Sequence, residues 1–301
     1  MRRFILLSTL CLAAGVVSAC KPDEEIASPV PPKAGIRFIN AVPDTGGANG
    51  LDFRFIDYVE NSSAYNVTFR NLPQATDTGV NRVVASALIQ YKPARVGERH
   101  FRIFLSDTLQ SIATVVLKDS TLNLEAGHNY TLLMWGNARS TGADAMRLDV
   151  IDENVADPAA QVALRVINAT TSPIDVRQYV DKGTVPTAAS WANLAGLSVS
   201  AYQPAAPSRI RFNVQPAGGG TVLFNDALAL IGQPNGTQTA GCTVGVDCIA
   251  TPGTTVAGSA VTLIVFPRSV AGSKAANFTT PGSSFMWDRR PPGTCTVSFG
   301  C

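Results

Sequence analysis

Hydrophobic and polar residues alternate along the chain in short runs that begin near residue 35. Apolar side chains at every second position, bounded by turn residues, are typical of β-strands that bury one face. No stretch of any length has the spacing of an amphipathic helix. The first half predicts strands at residues 36–39, 51–55, 65–70, 83–91, 100–105, 112–117, 130–135 and 146–151. The second half predicts strands at residues 164–167, 174–179, 198–203, 209–214, 221–224, 260–266 and 284–288.

Two sequence motifs occur twice. The run IRFINA at residues 36–41 returns as LRVINA 128 positions later (164 − 36). The run LDFR at residues 51–54 likewise returns as IDVR at residues 174–177. Many short strands in each half are the profile of an antiparallel sandwich. The repeat therefore predicts an all-β fold with two tandem immunoglobulin-like antiparallel β-sandwich domains, at residues 35–154 and 162–292.

One tyrosine follows a turn before a predicted strand. The run LEAGHNYTL at residues 124–132 resembles the corner of immunoglobulin-like domains in which a tyrosine hydroxyl bonds to the preceding loop. In the second half the matching run is VAGSAVTL, and Val261 stands in the place of Tyr130. A tyrosine corner is therefore predicted for the first half alone.

The N-terminus has the composition of an export signal. Two arginines precede an apolar run that is too short to span a bilayer, and the run ends in VSAC at residues 17–20. That ending resembles the lipobox of bacterial lipoproteins, although an ordinary signal with a chance cysteine is the alternative. The resemblance implies a signal peptide at residues 1–19 and a lipid such as palmitate on Cys20. Lys21, rather than Asp, favours the outer membrane of a diderm bacterium, and the proline-rich residues 20–34 predict a disordered tether.

Four cysteines remain beyond the predicted lipid site: Cys242, Cys248, Cys295 and Cys301. An even number in an exported protein predicts two disulfides. Of the three possible pairings, Cys242 with Cys248 and Cys295 with Cys301 are favoured, because each pair closes a short loop. The second pair would bracket a C-terminal tail at residues 293–301. Zinc is the alternative, but the spacings are long and no histidine lies nearby.

The charge balance argues against nucleic acid as a partner. Removal of residues 1–19 takes away Arg2 and Arg3, which leaves 22 basic residues (24 − 2) against 22 acidic ones. A near-neutral chain without a basic cluster lacks the electrostatic footprint of a nucleic-acid-binding protein. We therefore expect no nucleic-acid partner, no cofactor and a monomer that is held at the membrane through Cys20.

The repeated motifs resemble the bacterial domain-of-unknown-function family numbered 4397. The Asn-Ala pairs at residues 40–41 and 168–169, together with LDFR, carry the resemblance, which covers most of residues 35–290. Members are typically exported, often lipid-anchored, and built from tandem immunoglobulin-like modules, so the resemblance implies the same here. The family offers no catalytic residues to carry over.

Few side chains suggest chemistry. The only histidines are His100 and His128, and no Gly-x-Ser-x-Gly elbow accompanies them, so we interpret both as structural and expect no catalytic residues. Trp135 and Trp287 lie in strand-like runs that favour core packing. Trp191 lies outside a clear strand and is the candidate surface platform for a sugar ring.

Acidic residues gather at the predicted domain junction, where two interpretations stay open. Calcium could bind oxygen ligands there and stiffen the junction. The alternating Asp-x-Asp pattern of a calcium loop is missing, however, which favours a solvated linker without a metal. The candidate ligands are Asp149, Asp152, Glu153 and Asp157.

These observations predict a lipid-anchored protein of the cell envelope that is not an enzyme. It would serve as a surface binding or spacer module whose partner is a polysaccharide, peptidoglycan or another envelope protein. The alternative is an exported hydrolase with a site in the loop at residues 232–256 or in the cleft between the domains.

Overall fold

The computed structural model describes residues 32–44, 51–58, 69–71, 91–105, 109–233, 250–268, 270 and 281–291. The first half forms two sheets with the strand orders β4-β1-β7-β8 and β3-β2-β5-β6. A short helix α1 (Gln110–Ala113) and a 3₁₀ turn (Gly142–Asp144) interrupt the strands. The strands are β1 (Lys33–Asn40), β2 (Leu51–Phe55), β3 (Phe69–Asn71), β4 (Lys92–Arg95), β5 (Gly97–Leu105), β6 (Val116–Leu124), β7 (Asn129–Trp135) and β8 (Arg147–Asp152).

Stacked phenylalanines fill the space between these two sheets. The ring centroid of Phe53 in β2 lies 5.5 Å from that of Phe38 in β1 and 5.1 Å from that of Phe101 in β5. Each such aromatic pair contributes about 0.5–1.5 kcal/mol beyond the area that it buries. Because residues from both sheets meet in one buried cluster, the first half is a sandwich.

The second half repeats this plan. Its sheets have the orders β12-β9-β16-β17, with β13 also paired to β9, and β11-β10-β14-β15. Trp191, Phe212 and Phe285 lie in the core between them. The strands are β9 (Val162–Asn168), β10 (Ile174–Val180), β11 (Trp191–Leu194), β12 (Ser198–Val199), β13 (Gln203–Ala205), β14 (Ile210–Pro216), β15 (Phe224–Leu228), β16 (Ala260–Phe266) and β17 (Gly282–Arg289).

The predicted all-β sandwich class is confirmed, with one difference in strand direction. In each half one pair of neighbouring strands is parallel: β1 with β7, and β9 with β16. A parallel pair needs a long crossover connection, and here the chain visits the opposite sheet before it returns. The alternating pattern identifies strands but carries no information about their direction, so the sequence did not predict this pairing.

Several predicted strands differ from the observed ones. Residues 112–117 were predicted as one strand, yet α1 ends at Ala113 and β6 begins at Val116. The single strand predicted at residues 198–203 is replaced by two short strands, β12 and β13. The strand predicted at residues 221–224 begins only at Phe224. β4 and β11 were missed, because β4 buries a single side chain and β11 carries one large apolar residue at its start. Residues 83–90 and most of the predicted strand at 65–70 lie outside the described residues.

Four central strands are buried on both faces. Residues 36 and 38 of β1 point into the first core, whereas Ile39 joins a separate cluster between the two sandwiches. This follows from the period of two, since neighbouring side chains of a strand leave opposite faces of the sheet. The inter-sandwich cluster contains Ile39, Ala41, Leu133, Trp135, Ile167, Ala169, Leu197, Ile264, Phe266 and Met286. The sheet that holds β1 and β7 therefore packs against the sheet that holds β9 and β16.

The predicted tyrosine corner is present in the first half. The backbone N–H of Glu125 donates to the Tyr130 hydroxyl at 3.1 Å. Tyr130 is the second residue of β7 and is buried, so this bond fixes the preceding turn to the sandwich core. Val261, the second residue of β16, stands in the corresponding place and has no hydroxyl to offer.

Some predictions concern residues outside the described ranges. These include the signal and Cys20, most of the tether, the four cysteines Cys242, Cys248, Cys295 and Cys301, and the tail at 293–301. Across the part of the chain that is described, no helix has both the length and the apolar character needed to cross a membrane.

Candidate functional site

Two arginines are buried where the sandwiches meet. Arg37 in β1 is 0 % exposed and Arg165 in β9 is 4 % exposed. Each follows a core-facing residue in its strand, so its own side chain leaves the opposite face of the sheet. Strand alternation therefore brings both guanidinium groups into the space between the sandwiches.

Two carboxylates meet these arginines. Arg37 Nη2 donates to Glu153 Oε1 at 3.1 Å and also to Asp288 Oδ1. Arg165 Nη2 donates to Glu153 Oε1 at 2.6 Å and lies 3.4 Å from Asp288 Oδ1. Each carboxylate thus contacts one arginine from each sandwich. We call Arg37, Glu153, Arg165 and Asp288 the charge network.

Two threonines tie the arginines to the carboxylates. Arg37 Nε donates to Thr131 Oγ1 at 2.7 Å, and that hydroxyl donates to Glu153 Oε1 at 2.6 Å. In the second sandwich, Arg165 Nε donates to Thr262 Oγ1 at 2.8 Å, and Thr262 donates to Asp288. The parallel strand pairs place Thr131 opposite Arg37 and Thr262 opposite Arg165. The two halves therefore contribute matching parts.

A tyrosine ring covers each arginine. The guanidinium carbon of Arg37 lies 4.5 Å from the ring centroid of Tyr91, and that of Arg165 lies 4.7 Å from the ring centroid of Tyr202. Tyr91 immediately precedes β4, which pairs with β1, and Tyr202 immediately precedes β13, which pairs with β9. Each cation–π contact contributes about 0.5–2 kcal/mol. The correspondence between the halves thus extends to the aromatic residues.

The hydroxyl groups of the two tyrosines differ. Tyr202 donates to Asp288 Oδ2 at 2.8 Å. In the first half, Glu153 Oε2 is buried and has no hydrogen-bond partner among the described residues. The buried Tyr91 hydroxyl lies beside Thr131 but makes no hydrogen bond of regular geometry. Glutamate is one methylene longer than aspartate, and Glu153 accepts all of its side-chain hydrogen bonds through Oε1. One side of the charge network is therefore saturated and the other is not.

Both arginines and Asp288 of the charge network keep their charges at neutral pH. Burial lowers the pKa of Arg37, but the neighbouring Tyr91, Asp288 and Glu153 outweigh burial and raise that pKa above its ordinary value. Burial raises the pKa of Asp288, yet Arg165 and Arg37 hold it below its ordinary value. The network thus combines two guanidinium groups with two carboxyl groups in a buried site. Removing one member of such a set costs about 3–5 kcal/mol, because it leaves a buried charge unpaired.

A cleft of about 300 Å³ adjoins the charge network. Glu153, Arg165 and Tyr202 contribute to its lining, so the network forms part of its wall. The remaining lining residues are Asp152, Asn154, Val155, Ala156, Asp157, Pro158, Ala163, Gln203 and Pro204. In this region polar groups and an accessible concave surface occur together.

The four calcium candidates do not converge. Asp149 accepts a hydrogen bond from Trp135 Nε1 at 2.9 Å, Asp152 contacts His128 Nδ1 at 2.9 Å, and Asp157 lies 3.0 Å from Arg289 Nη2. The described residues contain no group of His, Cys, Asp and Glu that could hold a metal ion. Glu153 also differs from the predicted solvated linker, because it is buried between two arginines.

The surface platform predicted at Trp191 is not exposed. Trp191 is 6 % exposed and lies 6.2 Å from the ring of Phe212, as part of the second core. It opens β11, which the sequence pattern did not reveal. Trp135 is buried between the sandwiches, as predicted, and Trp287 is half-buried beside Tyr91. His100 and His128 pair with Asp119 and Asp152 near the surface.

The charge network has a signal in the sequence. The only charged residue of IRFINA, and of its repeat LRVINA, is the arginine between apolar neighbours. The runs YTLL and VTLI likewise repeat the threonine. A charge at the same place in two apolar runs indicates a paired, buried group, since an unpaired one would be costly. No comparable sequence pattern marks Tyr91, Tyr202 and Asp288, because strand pairing alone places these residues beside the arginines.

The asparagine of each motif has a structural role. Asn40 Oδ1 accepts a hydrogen bond from the N–H of Val42 at 3.0 Å. Asn168 Oδ1 likewise accepts from the N–H of Thr170 at 3.1 Å, and Asn168 Nδ2 donates to the carbonyl of Ser172 at 2.9 Å. Such bonds satisfy the backbone where a buried strand turns away from its sheet. The motif thus encodes a buried arginine followed by a turn.

Residues 34–179 match the family described as Domain of unknown function (DUF4397).

The DUF4397 match runs from β1 into β10, so it covers the first sandwich and the first strands of the second. It includes Arg37, Glu153 and Arg165 and ends before Thr262 and Asp288. The predicted resemblance is thereby confirmed for one copy of the domain. A comparison with curated proteins found no match to the chain.

Proposed function

We propose that this protein is a lipid-anchored component of the cell envelope that acts as a rigid, non-enzymatic spacer and binding module. The sequence at residues 1–34 supports the anchor, with Cys20 as the lipid site and the outer membrane of a diderm bacterium as the location. Cys242, Cys248, Cys295 and Cys301 would form disulfides in that oxidising compartment. The partner would be a polysaccharide, peptidoglycan or another envelope protein.

The observation that carries the spacer function is the junction between the sandwiches. Flexible tandem domains are joined by exposed linkers with few contacts. Here Glu153, from the segment that joins the sandwiches, is buried against Arg37 and Arg165. Separation of the sandwiches would expose the inter-sandwich cluster and break the charge network. The pair would therefore move as one body and hold a fixed distance from the membrane.

We further propose that the second sandwich is another copy of the DUF4397 module. The repeated motif places Arg165 where Arg37 lies, and β9 pairs with β16 in the same direction as β1 with β7. The tyrosine over each arginine follows the same strand relationship. In this proposal the present protein is a fused pair of two ancestral modules.

Metabolic labelling tests the anchor. Cells that express the full chain would be fed an alkyne analogue of palmitate, and the purified protein would be examined for the label. We expect labelling of the native protein and none of the Cys20→Ala variant, with the native protein in the membrane fraction. Equal labelling of both proteins, or no labelling of either, would refute the lipid-anchor proposal.

A substrate screen tests the non-enzymatic part. The full chain would be incubated with ester, glycoside and peptide substrates, and we expect no turnover above the buffer rate. Robust turnover that a single carboxylate or serine substitution abolishes would favour the hydrolase alternative. Of the two places proposed for a hydrolase site, the loop at residues 232–256 lies mostly outside the described ranges, which omit residues 234–249. In the cleft, the carboxylates Asp152, Glu153 and Asp157 each contact a different basic partner.

A further inference from the structure

The strand pairings identify the two ends of the first sandwich. β1 begins at Lys33, which lies opposite Arg95 of β4. The backbone N–H of Gly127, in the turn between β6 and β7, donates to the Lys33 carbonyl at 3.0 Å. β5 begins just after Arg95 and runs to Leu105 at the opposite end. We call the end that contains Lys33, Arg95 and the turn at Gly127 the entry end.

Two large apolar side chains are exposed at the entry end. Tyr58 is 57 % exposed, and Ile56, two residues before it, is 39 % exposed. The guanidinium carbon of Arg95 lies 5.2 Å from the ring centroid of Tyr58, and Arg95 pairs with Lys33. Both apolar residues therefore lie beside the place where the chain enters the sandwich. Tyrosine is enriched where proteins meet the interface of a bilayer, because its ring is apolar and its hydroxyl is polar.

The length of chain before Lys33 indicates what this end meets. The proposed lipid site Cys20 is 13 positions away (33 − 20). A chain of that length spans at most about 47 Å when fully extended. The lipid therefore keeps the entry end within this distance of the bilayer. Such a link gives the bilayer a high effective concentration beside the entry end, which favours even a weak contact.

The charges at the entry end do not select one kind of headgroup. Lys33 and Arg95 are exposed there, and so are Glu98 and Glu125. Cations and anions thus occur together beside the apolar pair, which suits headgroups that carry both signs. We therefore expect a zwitterionic lipid to be a sufficient probe.

We propose that the entry end of the first sandwich lies against the membrane that holds Cys20, with Tyr58 and Ile56 in the interface of the bilayer. The lipid and this surface form a two-point attachment, so the opposite end of the sandwich points away from the membrane. This inference rests on the proposed lipid anchor and deepens it. A tether alone limits the distance from the membrane, whereas a second contact also sets the orientation of the sandwiches.

Quenching of tryptophan by brominated lipids tests the proposal with the full acylated chain in phosphatidylcholine vesicles. Bromine atoms on the acyl chains quench only those rings that reach the bilayer. The two variants are Tyr58→Trp and, at the opposite end, Leu109→Trp, where the native leucine is 60 % exposed. Ile56 N–H bonds to the carbonyl of His100, five residue steps before Leu105 (105 − 100), so the ends are at least about 15 Å apart. The native protein supplies the background emission.

We expect the emission of Tyr58→Trp to fall at least about twofold more than that of Leu109→Trp when brominated lipid replaces ordinary lipid. Adding Ile56→Asp to Tyr58→Trp should remove most of this quenching, whereas adding Leu109→Asp should leave it unchanged. Equal quenching of the two tryptophan variants, stronger quenching of Leu109→Trp, or no effect of Ile56→Asp would overturn the proposal. Urea unfolding like that of the native protein would show that each variant is folded.

Flotation of the vesicles separates failure of the contact from failure of the anchor. If the chain floats with the vesicles and Tyr58→Trp is not quenched, the contact is refuted and the anchor at Cys20 stands. If the chain does not float, the lipid anchor is refuted, and this inference is refuted with it.

Discussion

Replacing either tyrosine of the network with phenylalanine removes the same atom from corresponding places, yet we expect different outcomes. Tyr202→Phe deletes a hydroxyl that donates to the ionised Asp288 at 2.8 Å. Hydrogen bonds to charged groups contribute about 1.5–3 kcal/mol, so the free energy of unfolding should fall by that amount. Tyr91→Phe deletes a buried hydroxyl that lies beside Thr131 without a hydrogen bond of regular geometry and contacts no carboxylate. Its removal ends a desolvation cost, so stability should stay the same or rise by up to about 1 kcal/mol.

Urea unfolding followed by tryptophan fluorescence measures both variants. Each keeps its aromatic ring, so the cation–π contacts with Arg37 and Arg165 remain and the two variants control for each other. Equal slopes with respect to urea would show that the same surface is exposed on unfolding. Equal losses of stability in the two variants, or a larger loss for Tyr91→Phe, would refute the assignment of a saturated and an unsaturated side.

Three further predictions concern surface and loop contacts. Tyr130→Phe removes the acceptor of the Glu125 N–H and should cost about 0.5–1.5 kcal/mol in urea unfolding; an unchanged midpoint would contradict the tyrosine corner. The hydrogen bond to Asp152 raises the pKa of His128 above its ordinary value of 6.5. The stability that this bond adds is therefore present below 6.5 and is lost as the pH rises through the raised pKa. NMR titration of His128 should show the raised pKa, and Asp152→Asn should lower it; an identical pKa in the variant would contradict the pairing. Burial raises the pKa of Asp57, but hydrogen bonds from Arg99 and the backbone outweigh it and lower that pKa to about 2. The stability it adds is therefore present above its ordinary value of 3.8 and is lost as the pH falls towards 2; titration at the ordinary value would contradict the pairing.

The strands could be predicted because each central strand is an apolar run bounded by turns. The packing of the sandwiches against each other could not, since an apolar run is compatible with burial on one face or on two. Ile39 and Phe38 look alike in the sequence, yet Phe38 lies in the first core and Ile39 lies between the sandwiches. That choice depends on the tertiary arrangement.

The candidate site was predicted in part. The repeated arginines mark it, but Glu153 looked like one member of an exposed acidic segment because its neighbours Asp152 and Asn154 are exposed. Ile151 in β8 contacts the inter-sandwich cluster. Glu153 lies two residues further along the chain, so continued strand alternation buries its side chain on the same face. Trp191 was misplaced for the opposite reason, since its strand is too short to give a pattern.

Hydrogen exchange in increasing urea tests most directly whether the two sandwiches form one body. Opening the first sandwich alone would take Arg37 and Glu153 away from Arg165 and Asp288 and expose the inter-sandwich cluster, so a half-unfolded state should not be populated. Mass spectrometry would follow peptides from β2 and β5 and from β10 and β14, which belong to the outer sheets of the two sandwiches. We predict that both sets lose protection at one urea concentration. Loss of protection in one sandwich while the other stays protected would contradict the rigid pair.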